Sequence, residues 1–263
     1  MTEQAIDKRR IAESFGRAAT TYDQAAAFQR TVGGNLLARL SADYCPVAIA
    51  DLGCGTGYFT RALHRHYGRP VMGIDLAEGM LQFARDASPD CGPWVTADAE
   101  ALPLRAGSQD LIFSSLALQW CAHLQRALNE AYRTLRPGGC LAFNTLVEGS
   151  LDELRQAWQQ VDGFVHVNRF MSETALRELL ADAGFAQYRC EIEQHLLHYG
   201  QLSELTRELK ALGAHNVNPG RPGGLTGRAR LRALTEAYEH FRDNKGLPAT
   251  YQVAQILLIK GPA

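Results

Sequence analysis

The chain has 263 residues, of which 46% are hydrophobic and 21% charged, and its formal net charge is −1. This length accommodates one large domain with its own core, and the balanced charge offers no overall field that would attract nucleic acid or an anionic membrane. The six cysteines form no C-x-x-C pair, so we expect neither disulfides nor a metal site. The N-terminal residues are polar and no apolar run approaches ~18 residues. We therefore expect a cytoplasmic protein without a membrane span.

The first 44 residues are predicted to form two helices. Apolar residues recur with a period close to 3.6 at Ile11, Phe15, Ala18 and Tyr22. A second helix is expected at 25–40. Residues 1–44 are therefore interpreted as a helical N-terminal segment.

Residues 45–200 alternate short apolar runs with amphipathic segments. Strands are predicted at 47–52, 71–75, 94–98, 110–116 and 140–146, with helices between them and a turn at 136–139. A sixth strand is predicted at 188–199, after a helix at 172–185 that Ser172 would cap. This succession predicts an α/β fold with a mostly parallel, Rossmann-like sheet.

The last part of the chain is predicted to hold a lid and a final strand. Residues 201–250 read as helical, with a glycine- and proline-rich interruption at 215–227. The apolar run 253–261, within the segment 251–263, predicts the seventh strand. Because the helical segment lies between strands six and seven, we expect it to be an insertion that covers the sheet.

A glycine-rich turn joins the first strand to the first helix of the sheet. Its sequence is Asp51-Leu52-Gly53-Cys54-Gly55-Thr56-Gly57. Glycines at alternate positions let the backbone turn tightly and approach a ligand closely. A dinucleotide site more often carries G-x-G-x-x-G, so this spacing argues against an NAD-dependent oxidoreductase. The turn alone could also be a plain tight turn.

Two further carboxylates are expected at the same edge of the sheet. Asp75 ends the second strand, 24 residues after Asp51 (75 − 51), where it could accept hydrogen bonds from ribose hydroxyls. Asp98 ends the third and could accept from an adenine amine. Either residue alone has an ordinary alternative, a helix N-cap for Asp75 and a strand-end carboxylate for Asp98. Together with the glycine turn they predict an adenosine-type site.

The motifs DLGCGTG, GIDLAEGM, ADAEALPL and LRPGG resemble, in this order, those of class I S-adenosylmethionine-dependent methyltransferases over about residues 46–146. The resemblance implies that fold and S-adenosylmethionine as the cofactor. Carried over by position, the glycines lie at the methionine and ribose side, Asp75 at the ribose, and Asp98 and Ala99 at the adenine. The cofactor-binding residues that it implies are Asp51, Gly53, Gly55, Gly57, Asp75, Leu76, Met80, Asp98, Ala99 and Ser115.

Three flanking segments, 11–30, 208–227 and 247–254, resemble the malonyl-acyl-carrier-protein O-methyltransferase family of biotin synthesis. The resemblance implies methyl transfer to the free carboxylate of a malonyl thioester on the carrier protein, with coenzyme A left open as another carrier. An acidic carrier would meet positive charge. Two basic clusters qualify, residues 8–10 and a set formed by Arg221, Arg228, Arg230 and Arg232.

The implied chemistry needs residues that position the acceptor, with no general base. A carboxylate is already anionic at pH 7, since its pKa lies near ~4, so alignment and desolvation remain. Tyr22 and Gln119 are the catalytic candidates, as positioning groups, although Tyr22 could instead pack on the core. The substrate-binding candidates are Trp120, Arg207, Lys210, His215, Asn216 and Asn218.

Other functions stay open from the sequence alone. A related methyltransferase could act on another small carboxylic acid or on a quinone-type hydroxyl. A hydroxyl acceptor usually needs a base, so activity independent of pH above about 6 would favour an acid. A module that binds S-adenosylmethionine without catalysis would keep the glycine turn and lack a productive acceptor pocket.

Overall fold

A computed structural model describes residues 7–214 and 227–262. In these ranges the strands form one seven-stranded sheet in the order β3-β2-β1-β4-β5-β7-β6. The first five strands pair in parallel, and β7 runs antiparallel to β5 and β6. The strands are β1 (Ile49–Leu52), β2 (Val71–Asp75), β3 (Trp94–Thr96), β4 (Gln109–Ser115), β5 (Leu135–Leu146), β6 (Gln187–Tyr199) and β7 (Leu247–Ile259). The predicted Rossmann-like α/β fold is confirmed.

The helices of the described ranges cover both faces of this sheet. They are α1 (Lys8–Ala25), α2 (Ala27–Leu37), α3 (Tyr58–Tyr67), α4 (Glu78–Ala87), α5 (Leu124–Thr134), α6 (Asp152–Gln159), α7 (Glu173–Ala181), α8 (Leu202–Ala211) and α9 (Arg228–Glu239). A short 3₁₀ turn, Leu118–Trp120, follows β4. The predicted cap is confirmed, since the Ser172 hydroxyl accepts from the N–H of Ala175.

Two predicted boundaries differ from the structure. The turn expected at 136–139 lies inside β5, where the register against β4 shifts and a bulge absorbs the extra residues. The final strand begins at Leu247, earlier than predicted, because β7 pairs with β6 along its whole length down to the pair Tyr199 and Leu247. Helices α8 and α9 lie between β6 and β7, where the lid was expected.

The core has layers on both sides of the sheet and an extension under helices α8 and α9. Leu128 of α5 and Leu176 of α7 are fully buried on one face, and Leu36 and Leu63 on the other. A further cluster joins α6, α8 and α9 to β7, with Tyr238 fully buried at its centre. This extension packs α8 and α9 against the start of β7.

Helix α1 packs on α4 through a small apolar cluster that includes Ala19, Ala77 and Met80. The hydroxyl of Ser14 also donates to the carbonyl of Gly213, at 2.9 Å, which ties α1 to the end of α8. In the described part of the chain, no helix has the length and hydropathy that crossing a membrane requires.

Candidate active site

The glycine turn after β1 lies against the end of β2. The N–H groups of Gly53 and Cys54 both donate to the carbonyl of Ile74, at 2.7 and 3.0 Å. A Cβ on Gly53 would overlap the Cβ of Ala117, and one on Gly57 would lie 2.6 Å from the Trp94 ring. These two glycines therefore permit close packing.

Gly55 differs from its neighbours in the turn. Its φ is +53°, in the left-handed region, and a Cβ built there meets no atom within 4 Å. Its N–H donates to Oδ2 of Asp75 at 2.8 Å. Gly55 thus faces open space, which a ligand can occupy up to the backbone.

Asp75 is held rigidly at the end of β2. Its Oδ2 accepts from Gly55, and its Oδ1 accepts from the N–H of Ala77 at 2.7 Å. Burial raises the pKa of this carboxyl from its ordinary value, while the backbone N–H groups of Ala77 and Gly55 act in the opposite direction. A carboxylate oxygen can accept more than one hydrogen bond, so both oxygens can still receive ligand hydroxyls.

A cavity at the carboxyl ends of β1, β2 and β4, here the cofactor cavity, brings most of the predicted cofactor residues together. Its lining contains Gly53, Gly55, Asp75, Leu76, Met80, Asp98, Ala99 and Ser115. Helix α1 contributes Ile11, Phe15 and Tyr22 to the wall. The crevice at the carboxyl ends of parallel strands is the usual ligand site of this sheet type.

Asp51 and Gly57, which the resemblance placed among the cofactor residues, do not line this cavity. Asp51 is 2% exposed, and one of its oxygens accepts from the hydroxyl of Thr60 at 2.6 Å. Burial raises the pKa of Asp51 to about 7, and the Thr60 hydroxyl partly offsets this effect. The hydrogen bond from Thr60 to Asp51 links α3 to β1, and Gly57 packs against Trp94. Both residues therefore support the turn without lining the cavity.

Asp98 carries a partner that the sequence did not predict. The Nζ of Lys8 lies 2.6 Å from Oδ2 of Asp98 and 2.7 Å from Oε1 of Glu100, and Lys8 lines the cofactor cavity. The other oxygen of Asp98 accepts from the N–H of Glu100 at 3.0 Å. Residues 8–10 were interpreted as a basic surface cluster, but the first of them points inward.

A larger cavity of about 1020 Å³, here the acceptor cavity, lies next to the cofactor cavity. Phe15, Tyr22, Leu116 and Trp120 line both. The candidates Gln119, Arg207 and Lys210 line the acceptor cavity as well. His215, Asn216 and Asn218 lie outside the described residues, as does Arg221. Tyr22 and Trp120 therefore border the place where two ligands would meet.

The hydroxyl of Tyr22 is a hydrogen-bond donor at this junction. Burial, with the nearby carboxylates of Asp75 and Asp23, raises the pKa of Tyr22 well above its ordinary value. The phenol therefore stays protonated at physiological pH. Asp23 in turn accepts from the hydroxyl of Thr56 at 2.6 Å, which fixes this part of α1 to the glycine turn.

The lining of the acceptor cavity also contains aromatic residues that sequence reasoning missed. His166 stacks on Trp158, with ring centroids 3.5 Å apart, and its Nε2 lies 2.8 Å from Oδ1 of Asp162. Phe28 and Tyr251 also line this cavity, and their ring centroids are 4.4 Å apart. These residues come from segments far apart in the chain and follow no motif. No signal in the sequence alone could have grouped them.

Comparison with known proteins gives matches along most of the chain. A methyltransferase-domain family model matches residues 50–143. The biotin biosynthesis bifunctional protein BioHC of Cellvibrio japonicus is 48% identical over 97% of this chain, which spans 51% of that longer protein. A malonyl-(acyl-carrier protein) O-methyltransferase of Hahella chejuensis is 42% identical over 95% of this chain and 89% of its own length. The crystal structure of the Bacillus YcgJ protein is 17% identical, with a TM-score of 0.61 over 88% of this chain and 99% of that one, and it supports the fold.

Proposed function

Because this chain belongs to the malonyl-acyl-carrier-protein O-methyltransferase family, we propose that it transfers a methyl group from S-adenosylmethionine to the free carboxylate of a malonyl group held as a thioester on an acyl carrier protein. The product is a malonyl methyl ester, which starts the acyl chain of biotin. The observation that carries this proposal is the junction of two cavities, one shaped for an adenosine-type ligand and one large and mostly apolar, with Tyr22 lining both.

The cofactor cavity fits S-adenosylmethionine, which supplies a methyl group on a sulfonium that leaves as a neutral thioether. Asp75, Leu76 and Met80 line this cavity, where the carboxylate of Asp75 can accept from the ribose hydroxyls and the other two side chains can contact the adenine. Gly55 leaves room for the ligand at the turn. Asp98 can accept from the adenine amine in addition to Lys8, because a carboxylate oxygen accepts more than one hydrogen bond.

The acceptor side then has to hold and partly desolvate an anion. A malonyl carboxylate is ionised at pH 7 because its pKa lies near ~4, so the chain needs no base to create the nucleophile. The protonated hydroxyl of Tyr22 can donate to an oxygen of the malonyl group, and the rings of Phe15 and Trp120 exclude water beside it. Alignment of this kind supplies much of the rate of a two-substrate reaction.

The proposal predicts a sharp choice among acyl thioesters. Incubated with labelled S-adenosylmethionine, malonyl carrier protein should be methylated on oxygen. Acetyl carrier protein should be inert, because it has no distal carboxylate. Mass spectrometry of the acyl group, before and after mild ester hydrolysis, locates the methyl group. Methyl transfer to the acetyl thioester, or to carbon, would refute the assignment, and malonyl coenzyme A in parallel shows whether the carrier protein itself is required.

Removal of a single oxygen tests the role of Tyr22. Among the described residues its hydroxyl has no hydrogen-bond partner within the chain, so Tyr22→Phe should leave the thermal midpoint of unfolding nearly unchanged. The turnover of malonyl carrier protein should fall about 10- to 100-fold, the range expected for a hydrogen bond to a charged group. Since the pKa of Tyr22 is raised, wild-type activity should not follow a phenol titration between about pH 6 and 9. Normal turnover by the folded variant would remove Tyr22 from the mechanism.

A further inference from the structure

The wall of the acceptor cavity has an unusual charge composition. Arg10, Arg207 and Lys210 line it, whereas none of its described lining residues is an aspartate or a glutamate. No carboxylate of the lining therefore neutralises these cations. A cavity that combines largely apolar walls with positive charge suits a ligand that is uncharged along its length and anionic at one end.

The two cations of α8 face solvent and have no partner among the described residues. Arg207 and Lys210 stand three residues apart and are exposed, so their side chains are neighbours on one helix surface. Neither has a hydrogen bond or an ion pair to any described residue. Within the described ranges, the side chain of Arg10 has only an exposed ion pair with Asp7, three residues before it, at 3.3 Å, and such pairs contribute little.

Contacts between α1 and α8 bring these cations to one rim of the cavity. Ser14, one turn after Arg10, donates to the carbonyl of Gly213, three residues after Lys210. A second bond joins the hydroxyl of Thr21 to the carbonyl of Ala211 at 2.9 Å. Because the three cationic side chains are exposed, they lie at the solvent side of the cavity, whereas the malonyl carboxylate must be buried beside the cofactor.

We propose that Arg207 and Lys210, assisted by Arg10, form a phosphate subsite at the mouth of the acceptor cavity, and that it binds the phosphate at the outer end of the pantetheine arm that carries the acyl thioester. This inference rests on the proposed function and assigns Arg207 and Lys210 to the phosphate rather than to the malonyl carboxylate. The apolar walls accommodate the arm, and the arginine fork and the lysine ammonium suit its phosphate. The same phosphate occurs in the carrier protein and in coenzyme A.

The experiment compares substrates that differ by this phosphate. The double variant Arg207→Gln/Lys210→Gln is assayed with malonyl pantetheine, malonyl phosphopantetheine, malonyl carrier protein and malonyl coenzyme A. We expect KM to rise at least about tenfold for the three phosphate-bearing substrates, with kcat retained and malonyl pantetheine unaffected. Arg65→Gln/Arg69→Gln is the matched control, because it removes the same charge from exposed residues that line neither cavity.

Several outcomes would overturn the subsite. An equal rise in KM for malonyl pantetheine would place the cations at the acyl end. An effect confined to malonyl coenzyme A would assign them to the nucleotide phosphates, and no effect, or the same effect in the control variant, would remove them from binding. Calorimetry with unacylated phosphopantetheine and pantetheine decides the question without catalysis: wild type should prefer the phosphorylated ligand, and the double variant should not. If wild type methylates no malonyl thioester, the proposed function fails while this measurement still tests the subsite.

Discussion

Replacement of Gly55 by valine is expected to abolish cofactor binding in a protein that still folds. A branched side chain at this position would project into space that is open in the structure and borders the cofactor cavity. It would also be strained, because Gly55 has a φ of +53° and β-branched residues avoid that region. We expect the Kd for S-adenosylmethionine to rise by more than about 100-fold, equivalent to ~3 kcal/mol.

The strain and the steric block can be separated with a matched glycine. Gly107 has a φ of +61°, a Cβ there also meets nothing within 4 Å, and it lines neither cavity. Gly107→Val should therefore suffer a similar loss of thermal stability and bind the cofactor normally. If Gly55→Val binds as well as Gly107→Val in isothermal calorimetry, the turn does not contact the ligand and the cofactor site is misplaced.

Asp75→Ala should weaken cofactor binding and also destabilise the fold. The substitution removes the acceptor for the ribose hydroxyls. The loss of these hydrogen bonds should weaken binding by ~1–3 kcal/mol, which raises the Kd roughly 5- to 100-fold. It also leaves the N–H groups of Gly55 and Ala77 without their partner. Ala77 is buried, and an unpaired buried donor costs ~1–3 kcal/mol, so the midpoint of thermal unfolding should fall by several degrees.

Asp75→Asn is the informative companion of this variant. The amide retains one oxygen for a backbone N–H while losing the charge and the second acceptor. It should recover part of the stability and less of the affinity. A folded Asp75→Ala protein with an unchanged Kd, measured by calorimetry below its unfolding temperature, would exclude Asp75 from the cofactor site.

The strands of the sheet and the cofactor turn could be predicted from the sequence, because each follows from the order of apolar, polar and glycine residues within a short segment. Strand β2 has the bounds that its apolar run predicts, 71–75. Gly55 and Asp75 are close in the chain to the strand ends that position them. Order along the chain is then enough to place them together, because parallel strands end at one edge.

The acceptor cavity could be predicted only in part, for the opposite reason. Its walls combine α1, the 3₁₀ turn, α6, α8 and β7, and each contributes residues that read as ordinary core or surface positions. His166 and Trp158 meet through tertiary packing that no spacing encodes. Lys8 was assigned to a surface cluster because a run of basic residues does not show which of its members turns inward.

Helix α1 is a wall common to both cavities. It carries Lys8, which is paired with Asp98 in the cofactor cavity, and Tyr22 at the junction, about 21 Å apart along a helix that rises 1.5 Å per residue. A ligand in either cavity contacts α1 only while the helix is docked, so each ligand favours the docked state. If the bound cofactor raises the affinity for the thioester by some factor, thermodynamic reciprocity requires that the bound thioester raise the affinity for the cofactor by the same factor.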